Sequence, residues 1–394
     1  MAAIISSTKV SVESLLQYIP EESFSALAHQ TRVDYKVHKL YGRSMFYLLL
    51  YGLISDERIG QRSLADYFNT AKFRAFAKLD ASSQISHSSL SDRLATMPVS
   101  FFEQAYQQVY HLFSRHYGEQ QAAGHSITRV DSTMVCEQAN KLEAGMRVGR
   151  KKDGKKQIKY TLALQDLFPS SVELFSKQSE LSEDKTIARL ILGQVAAEDN
   201  VVVFDRGVQQ RRSFCRIDAK QLWFITRLKK NARCQTGTCF STAAGERVGN
   251  VRILSDELCW LYSHGKQVEV PFRLIKAVTD KGKVIPLLTN RFDVSAKAIA
   301  RLYRRRWDIE VFFRFLKQEL NLSHLLTVSL NGIKIILYMT LILAMMLLVY
   351  RKVNELGYKT AKRRFAMELD ERITALLIVI AGGKPEIVFA NMKT

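Results

Sequence analysis

The spacing of apolar residues changes near residue 125, and no single-class fold accommodates both patterns. Before that point, Ser11 to Tyr18, Val37 to Leu53, Ser63 to Phe76, Ser88 to Met97 and Phe101 to His116 repeat at helix period. Ser63 and Ser88 are placed as N-caps, and Pro98 ends one helix before the next begins. After it, His125 to Cys136 alternates as a half-buried strand does, and Ile158 to Asp166 and Ser171 to Ser176 read as two more short strands. Glu183 to Ala197 returns to helix period. Val201 to Phe204 is a β-branched apolar run that suits a strand buried on both faces. Gln209 to Lys220 reads as a helix and Leu222 to Leu228 as a strand. From about Ala232 to Asp293 the text is strand-like with Gly and charged turns, an inserted β-rich stretch. Val284 to Thr289 returns the chain to the sheet, and Ala296 to Leu320 reads as one helix. The expected class is α/β: a mixed sheet flanked by helices, with a β-rich insertion, behind an all-helical N-terminal domain.

The chain has 394 residues, 47% hydrophobic and 24% charged, enough for folded domains with sizeable cores. Lys and Arg number 58 against 38 Asp and Glu, a formal charge of +20. That excess points to a polyanionic partner, nucleic acid before anionic membrane. Arg147 to Lys159 holds seven basic residues, one acid and two glycines. A cationic hairpin loop of this kind suits phosphate contact, with Lys151, Lys152, Lys155 and Lys156 as candidates. Gly60 to Leu79 followed by Ile85 to Met97 has the outline of a helix-turn-helix, offering Ser86, His87, Ser88, Ser89, Ser91 and Arg93 to a groove. The five cysteines are odd in number, and only Cys234 and Cys239 lie close, so they read as reduced thiols of a cytoplasmic protein. The N-terminus lacks the order of a signal peptide. Ile335 to Tyr350 is apolar except at Thr340, but falls short of the roughly 20 residues a spanning helix needs. It is expected to be a buried core helix, and no membrane partner is expected.

Three acids stand out. Asp131 interrupts the first strand in the tetrapeptide VDST, and Asp205 ends the buried run Val201 to Phe204, where ligand groups of α/β sheets gather. Glu310 lies in the segment YRRRWDIEVFFRFLK, Tyr303 to Lys317. Taken as one helix at about 100° per residue, Tyr303, Arg306, Glu310 and Lys317 share an arc of roughly 60°. Ile309, Phe312, Phe313, Leu316 and Leu320 fill the adjacent arc. Such a helix presents one carboxylate between two cations and a phenol. The same residues also make an ordinary surface helix with an Arg306–Glu310 ion pair. Carboxylates drawn together repel one another, and Mg²⁺ or Mn²⁺ relieves that. The three acids are 74 and 105 residues apart, so their meeting depends on the fold.

On these residues the chain resembles the DDE transposases of bacterial insertion sequences, in insertion-sequence family four. The family signature is Tyr, two residues, Arg, three residues, Glu, six residues, Lys. Tyr303, Arg306, Glu310 and Lys317 meet it without a gap, and VDST at 130–133, FDRG at 204–207 and LLTNR at 287–291 supply its other blocks. The resemblance runs from about 125 to 330 and implies an RNase H-like catalytic domain. The expected layout is a helical, DNA-binding domain over 1–120, the catalytic core over 121–231 and 294–350, the β-rich insertion over 232–293, and a helical tail over 351–394. The resemblance implies Asp131, Asp205 and Glu310 as a catalytic triad holding two Mg²⁺ (or Mn²⁺) ions. It implies Tyr303, Arg306 and Lys317 as contacts to the transposon end, with Arg206 and Arg291 from the other blocks as further DNA contacts. Val208 departs from the family, which often has an aromatic there. Some members flip a base onto an aromatic of the insertion. Trp260 is the candidate for that, against its reading as a packed sheet residue. Trp307 is expected to pack beside Arg306. The implied function is a transposase that binds terminal inverted repeats, cuts the element ends and joins the 3′-OH to target DNA. It is expected to act as a homodimer on double-stranded DNA, associated with the bacterial nucleoid. A nuclease that cuts without joining, and a DNA-binding regulator with a decayed site, are the alternatives.

Overall fold

The computed structural model describes residues 9–391, apart from 20, 56–57, 81, 119–125, 138–141, 143, 149–154, 197–199 and 241–243. Its helices are α1 (Val12–Gln17), α2 (Glu21–Thr31), α3 (Gly42–Ser55), α4 (Gln61–Asn69), α5 (Ala71–Ala77), α6 (His87–Thr96), α7 (Val99–Tyr117), α8 (Glu183–Gln194), α9 (Arg211–Ala219), α10 (Ala296–Arg304), α11 (Trp307–Glu319), α12 (Leu330–Val353), α13 (Tyr358–Ile380) and α14 (Pro385–Asn391). The strands are β1 (Ser126–Glu137), β2 (Met146–Arg147), β3 (Lys156–Gln165), β4 (Phe168–Phe175), β5 (Asn200–Phe204), β6 (Trp223–Arg227), β7 (Cys234–Cys239), β8 (Arg247–Val248), β9 (Val251–Ser263), β10 (Lys266–Gln267), β11 (Phe272–Thr279) and β12 (Val284–Thr289). By their internal contacts the residues form two units. One is Met1–Gly118, Glu137–Glu143 and Arg314–Thr394; the other is Glu119–Cys136 and Ala144–Phe313.

The first unit is helical, and side-chain caps set several of its helix starts. Ser11, Thr70 and Ser86 accept from the backbone N–H three residues on, at the starts of α1, α5 and α6. Thr70 thus splits the single helix expected over Ser63 to Phe76, and Ser86 rather than Ser88 caps α6. α2 was not expected: it buries only Phe24 and Leu27, too few apolar positions to show a period. Between α5 and α6 the side chain of Asn69 bonds both the N–H and the carbonyl of Ile85, at 2.9 Å each. Arg93 does not face outward as expected. Its guanidinium donates to the carbonyls of Leu40 and Val33, satisfying loop backbone, while Ser86, His87, Ser88 and Ser89 remain exposed.

The expected core helix is α12. It packs against α3, α6, α7 and α13, and every residue from Met339 to Tyr350 is buried. It is the one described helix long and apolar enough to cross a membrane, yet 83% of its most apolar window is buried inside the protein. A helix apolar on all sides must be covered on all sides. That is why α12 groups with the N-terminal helices, together with α13 and α14, rather than with the preceding residues 294–313.

The second unit is built on one mixed sheet of twelve strands. Its path runs β10-β9-β11-β12-β6-β5-β1-β3-β2, with β4 beside β3 and with β7 and β8 beside β9. β1, β5 and β6 are mutually parallel neighbours, while β3–β4, β6–β12, β12–β11 and β11–β9 are antiparallel. The expected mixed sheet flanked by helices is present, but the β-rich stretch 232–293 is inserted in sequence only. Through the β12–β6 pairing its strands prolong the central sheet, so no separate body forms. β5 is buried on both faces, as its composition required. Val202 and Phe204 join the core beneath α8 and α9 with Ile187, Phe214 and Phe224, while Val201 and Val203 join the core beneath α10 with Ile127 and Ile299.

The segment read as one helix from Ala296 to Leu320 is two. The chain turns at Arg305 and Arg306, whose N–H groups bond back only three residues, to Leu302 and Tyr303. α11 restarts with Asp308 and Glu310 in its first turn, where the helix dipole favours acids. Asp308 pairs with buried Arg129 of β1 at 3.4 Å and with Arg305 at 3.4 Å, which fixes the turn. The apolar stripe forms as read: Ile309, Phe312, Phe313, Leu316 and Leu320 are all buried.

Candidate active site

Strand register brings the two aspartates together. β1 and β5 pair in parallel with Val130 opposite Phe204, so the next residues, Asp131 and Asp205, emerge at the same level of adjacent strands. Strand spacing there is roughly 4.8 Å. Both lie at odd positions, in phase with Ile127, Val201 and Val203, and so on the face covered by α10. The turn after α10 then delivers the remaining groups. Asp131, Asp205, Arg206, Arg227, Lys283, Tyr303, Arg306 and Glu310 line one polar cavity of about 160 Å³.

Within it Arg306 bridges two of the acids, at 2.5 Å from Glu310 and 3.9 Å from Asp131. The i,i+4 ion pair read from the sequence therefore exists, but one carboxylate of the candidate triad shares it. Asp205 accepts from the N–H of Gly207 at 2.7 Å, and its carbonyl accepts from the Thr226 hydroxyl. Asp131 accepts from the N–H of Ser132 at 2.8 Å. Desolvation is the main reason the Asp131 carboxyl is pushed up to about 7; the charges of Asp205 and Glu183 add to this, against the Ser132 N–H and Arg306. Burial pushes the Tyr303 phenol up, while Arg306 rises despite burial because Glu310 bonds it and Tyr303, Glu310 and Asp131 surround it.

Among the described residues no three His, Cys, Asp or Glu side chains stand close enough together to hold an ion as they are. The donor set nevertheless fits a hard divalent cation. It offers carboxylate oxygens on one polar cavity, with the Asp131 carboxyl disfavoured as an anion chiefly by burial, a cost a bound cation would offset.

The raised Asp131 has a measurable consequence in the metal-free protein. Its folded-state pKa of about 7 lies above the ordinary 3.8, so the native state holds this proton more tightly than the unfolded chain does. Stability from this group is therefore full below about pH 4 and is lost as pH rises through 7, by at most about 4 kcal/mol. Asp131→Asn removes the dependence. Thermal melts in a chelator should show the variant gaining on the wild type between pH 4 and 7; a constant difference would contradict the burial of this carboxyl.

The other candidates divide. Arg206 is exposed on the cavity rim. Lys317 lies in α11, half-buried, in the helical unit. Lys155 is exposed and Lys156 half-buried at the start of β3; Lys151 and Lys152 lie outside the described residues. Arg291 does not face DNA. It is 1% exposed, pairs with Asp293 at 2.9 Å and stacks on Trp223 at 4.1 Å. In the same LLTNR block, Asn290 bonds Phe224, Leu222 and Asp218, so the block latches the end of β12 to β6 and α9. Trp260 is half-buried, with its ring over Gly237 of β7, where a Cβ would lie 2.7 Å from it. Trp307 is not packed away beside Arg306 but 53% exposed, because the helix break turns it outward. It borders, with Arg301, Arg304 and Arg305, a cavity of about 760 Å³ between α10 and the sheet. Val208 is buried.

Sequence reasoning missed Arg227 and Lys283. The first was readable: Val203 pairs with Ile225, so two residues further along Arg227 comes level with Asp205. Lys283 precedes β12 in a tight turn and carries no sequence signal.

Asp131 lies within β1 and Asp205 directly after β5, and Glu310 is carried by the helix that follows the β-rich stretch. The chain belongs to the transposase DDE domain family, whose model matches residues 122–347. Among individual proteins it is similar to a putative transposase, y4zB, of Sinorhizobium fredii, 28% identical over 39% of this chain and 43% of that one. It is also similar to a probable transposase for insertion sequence element IS5377 of Geobacillus stearothermophilus, 26% identical over 52% of this chain and 51% of that one. The chain thus spans about half the length of the curated relatives it matches. A cryo-EM structure of a piggyBac transposase synaptic complex with hairpin DNA aligns over 92% of this chain and 79% of its own, at a TM-score of 0.49 and 10% identity, a likeness too slight to bear on function.

Proposed function

We propose that this chain is an insertion-sequence transposase that binds its element's terminal inverted repeats, cuts the DNA ends and joins the freed 3′-OH to target DNA. The observation that carries this is the shared cavity of Asp131, Asp205 and Glu310, rimmed by Tyr303, Arg306, Arg206, Arg227 and Lys283. In this reading the three carboxylates hold two Mg²⁺ or Mn²⁺ ions. When bound, such a pair activates a water or 3′-OH and offsets charge on the leaving oxygen. Asp131 gives up its competing proton, and both aspartates orient their oxygens from adjacent strands. Arg306 exchanges its hold on Glu310 for the scissile phosphate, and Tyr303 and Lys317 position the same strand. Arg206, Lys151, Lys152, Lys155 and Lys156 supply sequence-independent phosphate contacts. Ser86 to Ser89 of the helical unit are the groove-facing groups. Cutting both ends in step calls for two protomers on double-stranded DNA in the cytoplasm. The Y-R-E-K spacing, with VDST, FDRG and LLTNR in order before it, supports assignment to insertion-sequence family four.

Incubating the protein with a pre-nicked terminal-repeat duplex and a plasmid in Mn²⁺ tests the reading. Joined product is the expected result. Cleaved ends with no joined product would instead favour a nuclease.

A further inference from the structure

Behind the aspartates, on the opposite face of the sheet, lies a polar cluster that the chemistry above does not use. Its centre is Glu183, at the start of α8. One carboxylate oxygen accepts from buried Lys159 at 3.0 Å, and the other accepts from Ser132 at 2.8 Å and Thr186 at 3.1 Å. Lys159 is fully buried in β3. It also donates to the Leu181 carbonyl at 2.5 Å, with Thr186 at 3.4 Å, so its charge is enclosed by acceptors. Ser132 further bonds Thr161 of β3 at 2.9 Å. Both carboxylate oxygens of Glu183 are therefore held by neighbouring side chains.

Its position is what matters. Ser132 immediately follows Asp131. Gly207 follows Asp205 by two residues and donates to it at 2.7 Å. A Cβ on Gly207 would sit 2.6 Å from Glu183 Cγ and 2.8 Å from Asp205 Oδ1, so Glu183, Gly207 and Asp205 are packed without a gap. One side chain thus touches the backbone segment that carries each aspartate. A buried lysine is costly unless paired, so Lys159 in turn keeps Glu183 in place.

We propose that Glu183, anchored by Lys159, is a positioning residue that sets the separation of Asp131 and Asp205 through Ser132 and Gly207, and thereby the site's affinity for divalent cations. This rests on the metal-site reading of those aspartates. Groups that orient metal ligands from behind typically change affinity by about 10–100-fold.

The test is Mn²⁺ binding to the full chain without DNA, by isothermal titration calorimetry, with folding followed by circular dichroism. Ser132→Ala and Glu183→Ala should each bind roughly 10-fold more weakly. Cleavage of a terminal-repeat duplex by either should recover as Mn²⁺ is raised. Ser132→Ala removes one hydroxyl and decides the matter should Glu183→Ala fail to fold. Folded variants with affinity within about twofold of the wild type would overturn the proposal. Asp131→Ala is the separate control: if it binds Mn²⁺ as the wild type does, the metal-site reading fails, whatever Glu183 does.

Discussion

Replacing Asp205 with alanine is expected to lower strand cleavage at a terminal repeat by on the order of 10³-fold or more while leaving DNA binding nearly unchanged. The split follows from where the residue sits. Asp205 emerges from β5 level with Asp131 and lines the polar cavity, whereas in the proposed reading exposed cationic groups such as Arg206 and Lys155 make the phosphate contacts. Its backbone bonds to Thr226 do not need the carboxylate, so the strand end stays in place. Losing the side chain removes a proposed ligand and also a source of repulsion that raises Asp131. The variant should therefore be folded, bind DNA and fail to cut. Electrophoretic mobility shift beside a cleavage assay reads both properties. Undiminished cutting would remove Asp205 from the catalytic set.

The largest effect on stability is expected at Asp256. It is fully buried in β9 and holds Arg273 of β11 through two bonds, at 2.8 and 2.7 Å. Arg273 is itself 1% exposed, reaches the carbonyls of Val294 and Arg291, and lies under the Phe240 ring. It thereby ties the prolonged part of the sheet to the loop that enters α10. Asp256→Ala leaves a buried guanidinium without its counter-charge, a loss of about 3–5 kcal/mol. A paired Asp256→Leu, Arg273→Met substitution should recover much of that loss, because burial of an uncompensated charge, not loss of contact area, is the cause. Denaturant unfolding of the single and double variants checks this. A single variant destabilised by less than about 1 kcal/mol would show that the pair does not brace the sheet.

Both expectations depend on geometry that was only partly legible in the sequence. The composition of Val201 to Phe204 required a strand buried on both faces, and the fold honours it. The spacing Tyr303, Arg306, Glu310, Lys317 was legible as a motif, but the helix drawn through it was not. Two i,i+3 bonds at Arg305 and Arg306 break it, and the cause, Asp308 reaching Arg129 on β1, lies 179 residues away in the chain. Periodicity reports local structure and is blind to such a contact. The same limit explains Arg291, whose motif suggested DNA. Its burial depends on Trp223 and Asp293, which no spacing rule connects to it. Glu183 shows the limit again, since it reads as a helix start and only the fold brings it behind the aspartates.

The central claim is that Asp131, Asp205 and Glu310 together hold the ions that drive DNA cleavage. Anomalous diffraction from crystals of the protein with a terminal-repeat duplex and Mn²⁺ addresses it directly. The account predicts Mn²⁺ peaks within about 2.0–2.3 Å of carboxylate oxygens of Asp131 and Asp205, with Glu310 freed from Arg306 to reach one of them. Mn²⁺ bound elsewhere, with Arg306 still joined to Glu310 beside a correctly placed DNA end, would contradict it.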